Sequence, residues 1–119
     1  MIWRYKVTGV VTEQETGRPL AGLVVKGFDK DLIFDDHLGD TRTDDEGRFA
    51  LEFTDEAFRS PFDENPDLYL RVFDAAGQRE LVSTRGSIRW NAGEHEHYEL
   101  KVPRARLAES PGEGSQGPP

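Results

Sequence analysis

Two histidines two residues apart, His95 and His97 in "HEHYELKV", are the pair whose type and spacing best suit a metal ion. On an extended strand both rings project from one face, about 7 Å apart at Cα, and neutral imidazoles so placed can share zinc or iron. A third ligand is then required, and His37 or Glu99 is the candidate. The competing reading is a solvated strand face, because the same face continues with Glu99 and Lys101. A second constellation is acidic. Asp35, Asp36 and Asp40 in "DLIFDDHLGD" carry hard oxygen ligands of the kind calcium takes. The neighbouring run Asp44-Asp45-Glu46 before Gly47 lacks EF-hand spacing and reads as a turn. There, aspartate side chains accept backbone N–H bonds and glycine supplies the positive φ.

Other chemistries are poorly provided for. Ser60, Ser83, Ser87 and Ser110 have no G-x-S-x-G around them, and the chain has no cysteine for a thiol nucleophile or a thiolate site. "GEGSQG" has neither a strand before it nor a helix after it, so it is no phosphate loop. Trp3, Trp90 and Tyr98 have the ring area to stack on a sugar, but large aromatics more often fill a core or its rim. No catalytic residue and no organic cofactor is assigned.

The elements that must position these residues show period two. Trp3, Tyr5 and Val7 alternate with Arg4, Lys6 and Thr8, and Phe49, Leu51 and Phe53 with Arg48, Ala50 and Glu52. "DLYLRVF" sets Leu68, Leu70 and Val72 to one side, and "HEHYELKV" does the same with Tyr98, Leu100 and Val102. "LVVKGF" and "LVSTR" add two more strands, the second entered through a hairpin turn at Gly77. The spacing predicts an all-β, antiparallel Greek-key sandwich of about seven strands over residues 1–103. The stretch from 28 to 45 is expected to be a loop. One short helix is predicted at "TDEAFRSPF", capped by Thr54 and stopped by Pro61. Residues 104–119, rich in Pro, Gly and Ser, are expected to form a flexible tail or a linker to another domain.

At 119 residues with a net charge of −8, the chain fits one domain. Residues 29–67 hold fourteen acids against Lys30, Arg42, Arg48 and Arg59. Such a belt repels phosphate backbones, so nucleic acid is not an expected partner. No apolar run has signal-peptide or membrane-span length, so neither a membrane nor export is expected and the cytoplasm is the default. Leu32, Ile33 and Phe34 sit among Asp31, Asp35 and Asp36. Apolar residues ringed by charge in a loop mark either a protein interface or a plug for one end of the sandwich. Edge strands also leave a homodimer open.

"VTGVVTEQETGRPLAGLVVKGFD" and "TRTDDEGRFAL" resemble the opening strands of transthyretin-like (prealbumin-like) domains, including carboxypeptidase regulatory-like domains. The shared marks are T-G-x-P-L-x-G and T-D-x-x-G-x-F. The resemblance implies the sandwich fold and an accessory or binding role, and it supplies no activity. Intradiol ring-cleaving dioxygenases are similar over "GRPLAG" and "TDDEGRF". Where that resemblance would require iron-binding histidines, this chain has Asp67 and Tyr69. Hydroxyisourate hydrolases end in Tyr-Arg-Gly-Ser, whereas "TRGS" here is mid-chain at Thr84–Ser87. Three readings follow. The leading one is a non-catalytic module binding a protein partner through loops or a sheet edge, with Asp31, Leu32, Ile33, Phe34, Asp35 and Asp36 in the 28–45 loop as the first candidates. The others are a small metal-dependent enzyme or metal-binding domain at His37, His95 and His97, and a calcium-stabilised module at Asp35, Asp36 and Asp40.

Overall fold

The computed structural model describes residues 2–58 and 65–108. Seven strands follow in chain order: β1 (Arg4–Glu13), β2 (Val24–Asp29), β3 (Asp36–Arg42), β4 (Arg48–Thr54), β5 (Leu68–Phe73), β6 (Glu80–Ser83) and β7 (His95–Val102). They make two sheets, one ordered β4-β1-β7 and the other β3-β2-β5-β6. This is the expected all-β sandwich, with one departure from antiparallel pairing. β7 runs parallel to β1, because the chain leaves β6 in one sheet and enters β7 in the other from the end where β1 also begins.

The core is built by alternation. Tyr5, Val7, Val11, Phe49, Leu51, Phe53, Tyr98, Leu100 and Val102 come from the first sheet, and Val25, Leu38, Leu68, Leu70, Val72 and Leu81 from the second. Each such side chain contributes about 1.5–3 kcal/mol by leaving water. Trp3 does not join Tyr5 and Val7. β1 starts one residue later, and Trp3 overhangs the sheet 49% exposed. Gly9 permits one tight contact, since a Cβ there would lie 2.5 Å from the Phe49 ring.

The expected loop over 28–45 is corrected by β3, whose ladder with β2 runs from Val24↔Arg42 to Asp29↔Asp36. Its sequence, Asp-His-Leu-Gly-Asp-Thr-Arg, has poor strand propensity. The open edge of β2 and the burial of Leu38 override it. Of that stretch, 30–35 and 43–45 remain outside the strands. The turn at 43–47 also differs from a simple hairpin, because β3 and β4 belong to different sheets. Its capping chemistry is as expected: Asp44 Oδ1 accepts the N–H groups of Glu46 and Arg48 at 2.9 Å each, and Gly47 has φ 75°.

The predicted helix at 54–61 appears as a single 3₁₀ turn at Asp55–Ala57, and Thr54 makes no side-chain cap bond. The remainder of that prediction lies outside the described residues. After β7 the chain forms α1 (Arg104–Ala108), with Leu107 packed against the core, so the segment expected to be flexible begins as a helix. Residues 109–119 lie outside the described residues.

Candidate functional site

The odd-numbered strands begin, and the even-numbered strands finish, at one end of the sandwich. We call it the loop end. It gathers residues 2–3, the 30–35 loop, the 55–57 turn, residues 65–67 and the stretch 85–94. The opposite, turn end carries the connections at 14–23, 43–47 and 74–79 together with α1.

At the loop end, Leu32, Ile33 and Phe34 are 97%, 81% and 82% exposed. They do not plug the sandwich. The loop that raises them is fastened at its base. Asp31 Oδ1 accepts the Leu32 N–H at 2.7 Å, and Asp35 Oδ1 accepts the Asp31 N–H at 3.0 Å. The other Asp35 oxygen takes the Tyr69 hydroxyl, while Lys30 Nζ lies 3.6 Å and Arg85 Nε 3.5 Å from this carboxylate. Burial pushes the Asp35 carboxyl up. The Asp31 amide, the Tyr69 hydroxyl and the two cations outweigh it and hold its pKa below the usual range. Burial, then the bond to Asp35, push the Tyr69 phenol upward, so it stays a protonated donor rather than a nucleophile. With the chain pinned at 31 and 35, the three apolar residues between project into solvent.

Asp67 joins this loop to its neighbours. Its carbonyl accepts the Lys30 N–H at 2.8 Å, its carboxylate accepts the Asn91 N–H at 2.8 Å, and its own N–H donates to Asp29 Oδ1 at 2.8 Å. One residue thus fixes the apolar loop and the segment bearing Trp90, which is 66% exposed. The Asp29 carboxyl is pushed up to about 6, first by burial and then by the charges of Asp67, Asp36 and Asp31, against the Asp67 N–H. A carboxyl titrating there can exchange a proton near neutrality. Both Asp29 and Asp67 already hold backbone N–H groups, so their evident work is fastening.

The candidate metal ligands do not converge. His37 is on β3, alongside β4, while His95 and His97 are on β7, the far edge of the other sheet. His37 as third ligand to that pair is therefore corrected: sandwich topology separates them. Asp36 lies opposite Asp29 in the β2–β3 ladder, Asp40 pairs across from Lys26 with its carboxylate 4.0 Å from His37 Nε2, and Asp35 is engaged as above. A loop could fold these acids around an ion, but a strand spreads them. Among the described residues no three of His, Asp or Glu assemble into a group that could hold a metal. His95 and His97 are both exposed, and the Thr8 hydroxyl sits 2.9 Å from His97 Nδ1. A shallow cleft of about 250 Å³ opens beside His95, lined by Arg4, Lys6, Glu52 and Glu94 over Tyr5 and Phe53. That is below the usual size of an organic-ligand pocket, and its charges are mixed.

Of the residues named from sequence, Asp31 through Asp36 stay together at one site. Tyr69, Arg85 and Asp67 complete it, and none was picked out from sequence as part of this site. A signal was present: a buried-strand pattern that places Tyr69 among Leu68, Leu70 and Val72 puts its ring on the opposite, outer face. There it stacks on Phe28 at 5.2 Å.

No known protein family matches the chain, and no curated protein matches it. Among solved structures, a 9R-lipoxygenase from Cyanothece PCC8801 is similar over 92% of this chain, with a TM-score of 0.64 and 24% identity. The chain spans only 18% of that protein's length, and the likeness concerns the fold alone. Two dioxygenase structures are more distant. The 3-chlorocatechol 1,2-dioxygenase of Rhodococcus opacus 1CP has a TM-score of 0.44 at 17% identity, covering 84% of this chain and 59% of its own. The dioxygenase domain of a dioxygenase–carbohydrate-binding fusion from Streptomyces sp. SirexAA-E has 0.44 at 14%, covering 84% and 80%. Likenesses at that score carry no argument about activity. No described helix is long and apolar enough to cross a membrane.

Proposed function

We propose that this chain is a transthyretin-like, non-catalytic binding module that engages a protein partner through the 31–36 loop. The observation that carries the reading is the exposure of Leu32, Ile33 and Phe34 on a loop clamped at both of its feet. Pinning a loop lowers the entropy lost on binding, and presenting three consecutive apolar residues to water is unfavourable unless something covers them. The transthyretin-like assignment is supported by one motif stretch, 16–22, falling on an inter-strand connection and the other, 43–49, running from the 43–47 turn into the start of β4. The test is affinity capture from the native cells with the wild type and with Leu32→Ser/Ile33→Ser/Phe34→Ser, quantified against equal amounts of folded bait. A partner held stoichiometrically by the wild type and released by the triple variant is the expected result. Equal capture by both, or by neither, refutes the reading.

A second reading, metal binding at His95 and His97, is favoured by one contact. The Thr8 hydroxyl beside His97 Nδ1 can fix that ring and leave Nε2 for another partner. Zinc titration of the wild type and His97→Ala by calorimetry decides it, and absence of heat in the wild type removes it.

A further inference from the structure

Six large apolar side chains are exposed among the described residues: Ile2, Trp3, Leu32, Ile33, Phe34 and Trp90. Strand directions place all six at the loop end, although they come from three separate stretches of chain. The turn end shows none among the described residues. Hydrogen bonds tie all three stretches to the 65–67 segment. Trp3 exchanges two bonds with Asp55, through its N–H to Oδ1 at 3.2 Å and its carbonyl from the Asp55 N–H at 3.0 Å. Tyr5, two residues on, donates to Asn65 at 2.8 Å, and Asp67 holds both the 30–35 loop and Asn91 beside Trp90.

The charges around this surface are unequal. Lys30 and Arg85 turn onto Asp35, and Arg89 turns onto Glu96 at 2.9 Å. Asp31, Glu56 and Glu94 face solvent at the same end, where Arg4 and the Asp35-bound Arg85 are the exposed arginines among the described residues. We infer that the described residues of the loop end form a single docking surface, anchored by Trp3 and Trp90 as well as by the loop tip. Its occupant is a protein presenting an apolar face bordered by lysine or arginine. The inference rests on the reading of the 31–36 loop above, and it adds two anchors and the chemistry of the partner. Exposed apolar anchors call for an apolar face on the partner, and a carboxylate rim calls for cations around it. An anionic bilayer is repelled by the rim, and a neutral bilayer makes no use of it.

The chain's two tryptophans are both in this surface, so their emission reports on it alone. The probe is a synthetic amphipathic helix of lysine and leucine. Its controls are the glutamate–leucine counterpart, vesicles of phosphatidylcholine with and without phosphatidylglycerol, and dilution of the protein by itself. The lysine–leucine peptide is expected to shift the emission to the blue and protect it from acrylamide. Its affinity, read by anisotropy of a labelled peptide, should weaken at least tenfold between 50 and 500 mM salt. Trp90→Ser and Trp3→Ser should each weaken binding about fivefold or more, and Leu32→Ser/Ile33→Ser/Phe34→Ser should abolish it. No response to this peptide overturns the inference, as does an equal response to the acidic one. A response to vesicles alone reassigns the surface to lipid, and one that follows protein concentration alone reassigns it to a second copy. If the triple variant abolishes binding while both tryptophan variants leave it unchanged, the loop reading stands and the extended surface fails. If the triple variant binds normally, the loop reading itself fails.

Discussion

The two ends of this sandwich solve opposite problems with the same residue types. At the turn end, polar side chains close the structure. Thr43 is buried, and its hydroxyl accepts the Leu23 N–H at 3.0 Å while donating to the Leu20 carbonyl at 2.7 Å. Glu13, also buried, takes the Thr16 hydroxyl at 2.6 Å, which holds its carboxyl below the usual range together with Arg104 and Arg18. At the loop end, aspartates instead prop the structure open, clamping the feet of a loop whose middle is apolar and wet. Hydrogen bonding that hides backbone at one end displays side chains at the other. If that contrast is right, substitutions at the turn end should cost stability, and substitutions at the loop end should cost binding.

The largest effect is expected at Gly47. Its φ of 75° is unfavourable for any residue with a Cβ, and a Cβ there would lie 2.5 Å from the Val11 carbonyl oxygen and 3.1 Å from the Leu20 nitrogen. The Val11 N–H also donates to the Gly47 carbonyl at 2.8 Å, so the backbone cannot simply retreat. Gly47→Ala should lower the unfolding free energy in urea by about 3 kcal/mol. A loss under about 1 kcal/mol would show that the turn end is softer than its geometry. Thr43→Val comes next. It keeps the shape but strands one buried donor and one buried acceptor, at a cost of about 2 kcal/mol. Urea melts of both variants rank them.

How much of this was legible beforehand follows the same division. The turn end could be read residue by residue, because Gly47 and Asp44 act through local geometry that their types announce, and the Phe49, Leu51 and Phe53 alternation fixed which face they bury. For the exposed loop tip the sequence leaves two alternatives, since periodicity does not say whether an apolar triplet in a loop tucks under or stands out. The fasteners were not legible. Asp67 works through partners 24 to 38 residues away in the chain, and β3 exists because β2 needs an edge partner, not because Asp36–Arg42 favours extended backbone. The separation of His37 from His95 and His97 is likewise a fact of strand order, absent from any local pattern.

A smaller effect tests the loop end's own electrostatics. Asp29 has its folded pKa raised to about 6 from 3.8 by burial and acidic neighbours. A raised carboxyl pKa means the protonated form is favoured on folding. Its stabilising contribution is therefore complete below about pH 3.8 and is lost as pH rises through about 6. Asp29→Asn keeps the side-chain oxygen that accepts the Asp67 N–H and removes the charge. It should match the wild type at pH 4 and exceed it by about 1 kcal/mol at pH 7.5, after discounting the full shift for solvent screening at a half-exposed site. Thermal melts at the two pH values check this, and a gain that is the same at both would mean that charge is not its origin.

The smallest expected effect on stability is the sharpest statement of the contrast. Leu32→Ser/Ile33→Ser/Phe34→Ser removes three apolar side chains, a change that in the core would cost several kcal/mol at each position. Here the three groups are already in water, so the folded state loses almost no burial, and the backbone bonds from Asp31 and Asp35 do not involve the replaced side chains. The urea midpoint should move by less than about 0.5 kcal/mol in equivalent free energy. A loss above about 2 kcal/mol would mean that the triplet is packed in solution, and the division between a closing end and a presenting end would fail with it. Near-zero change in stability, combined with loss of binding, separates what these residues do for the fold from what they do for a partner.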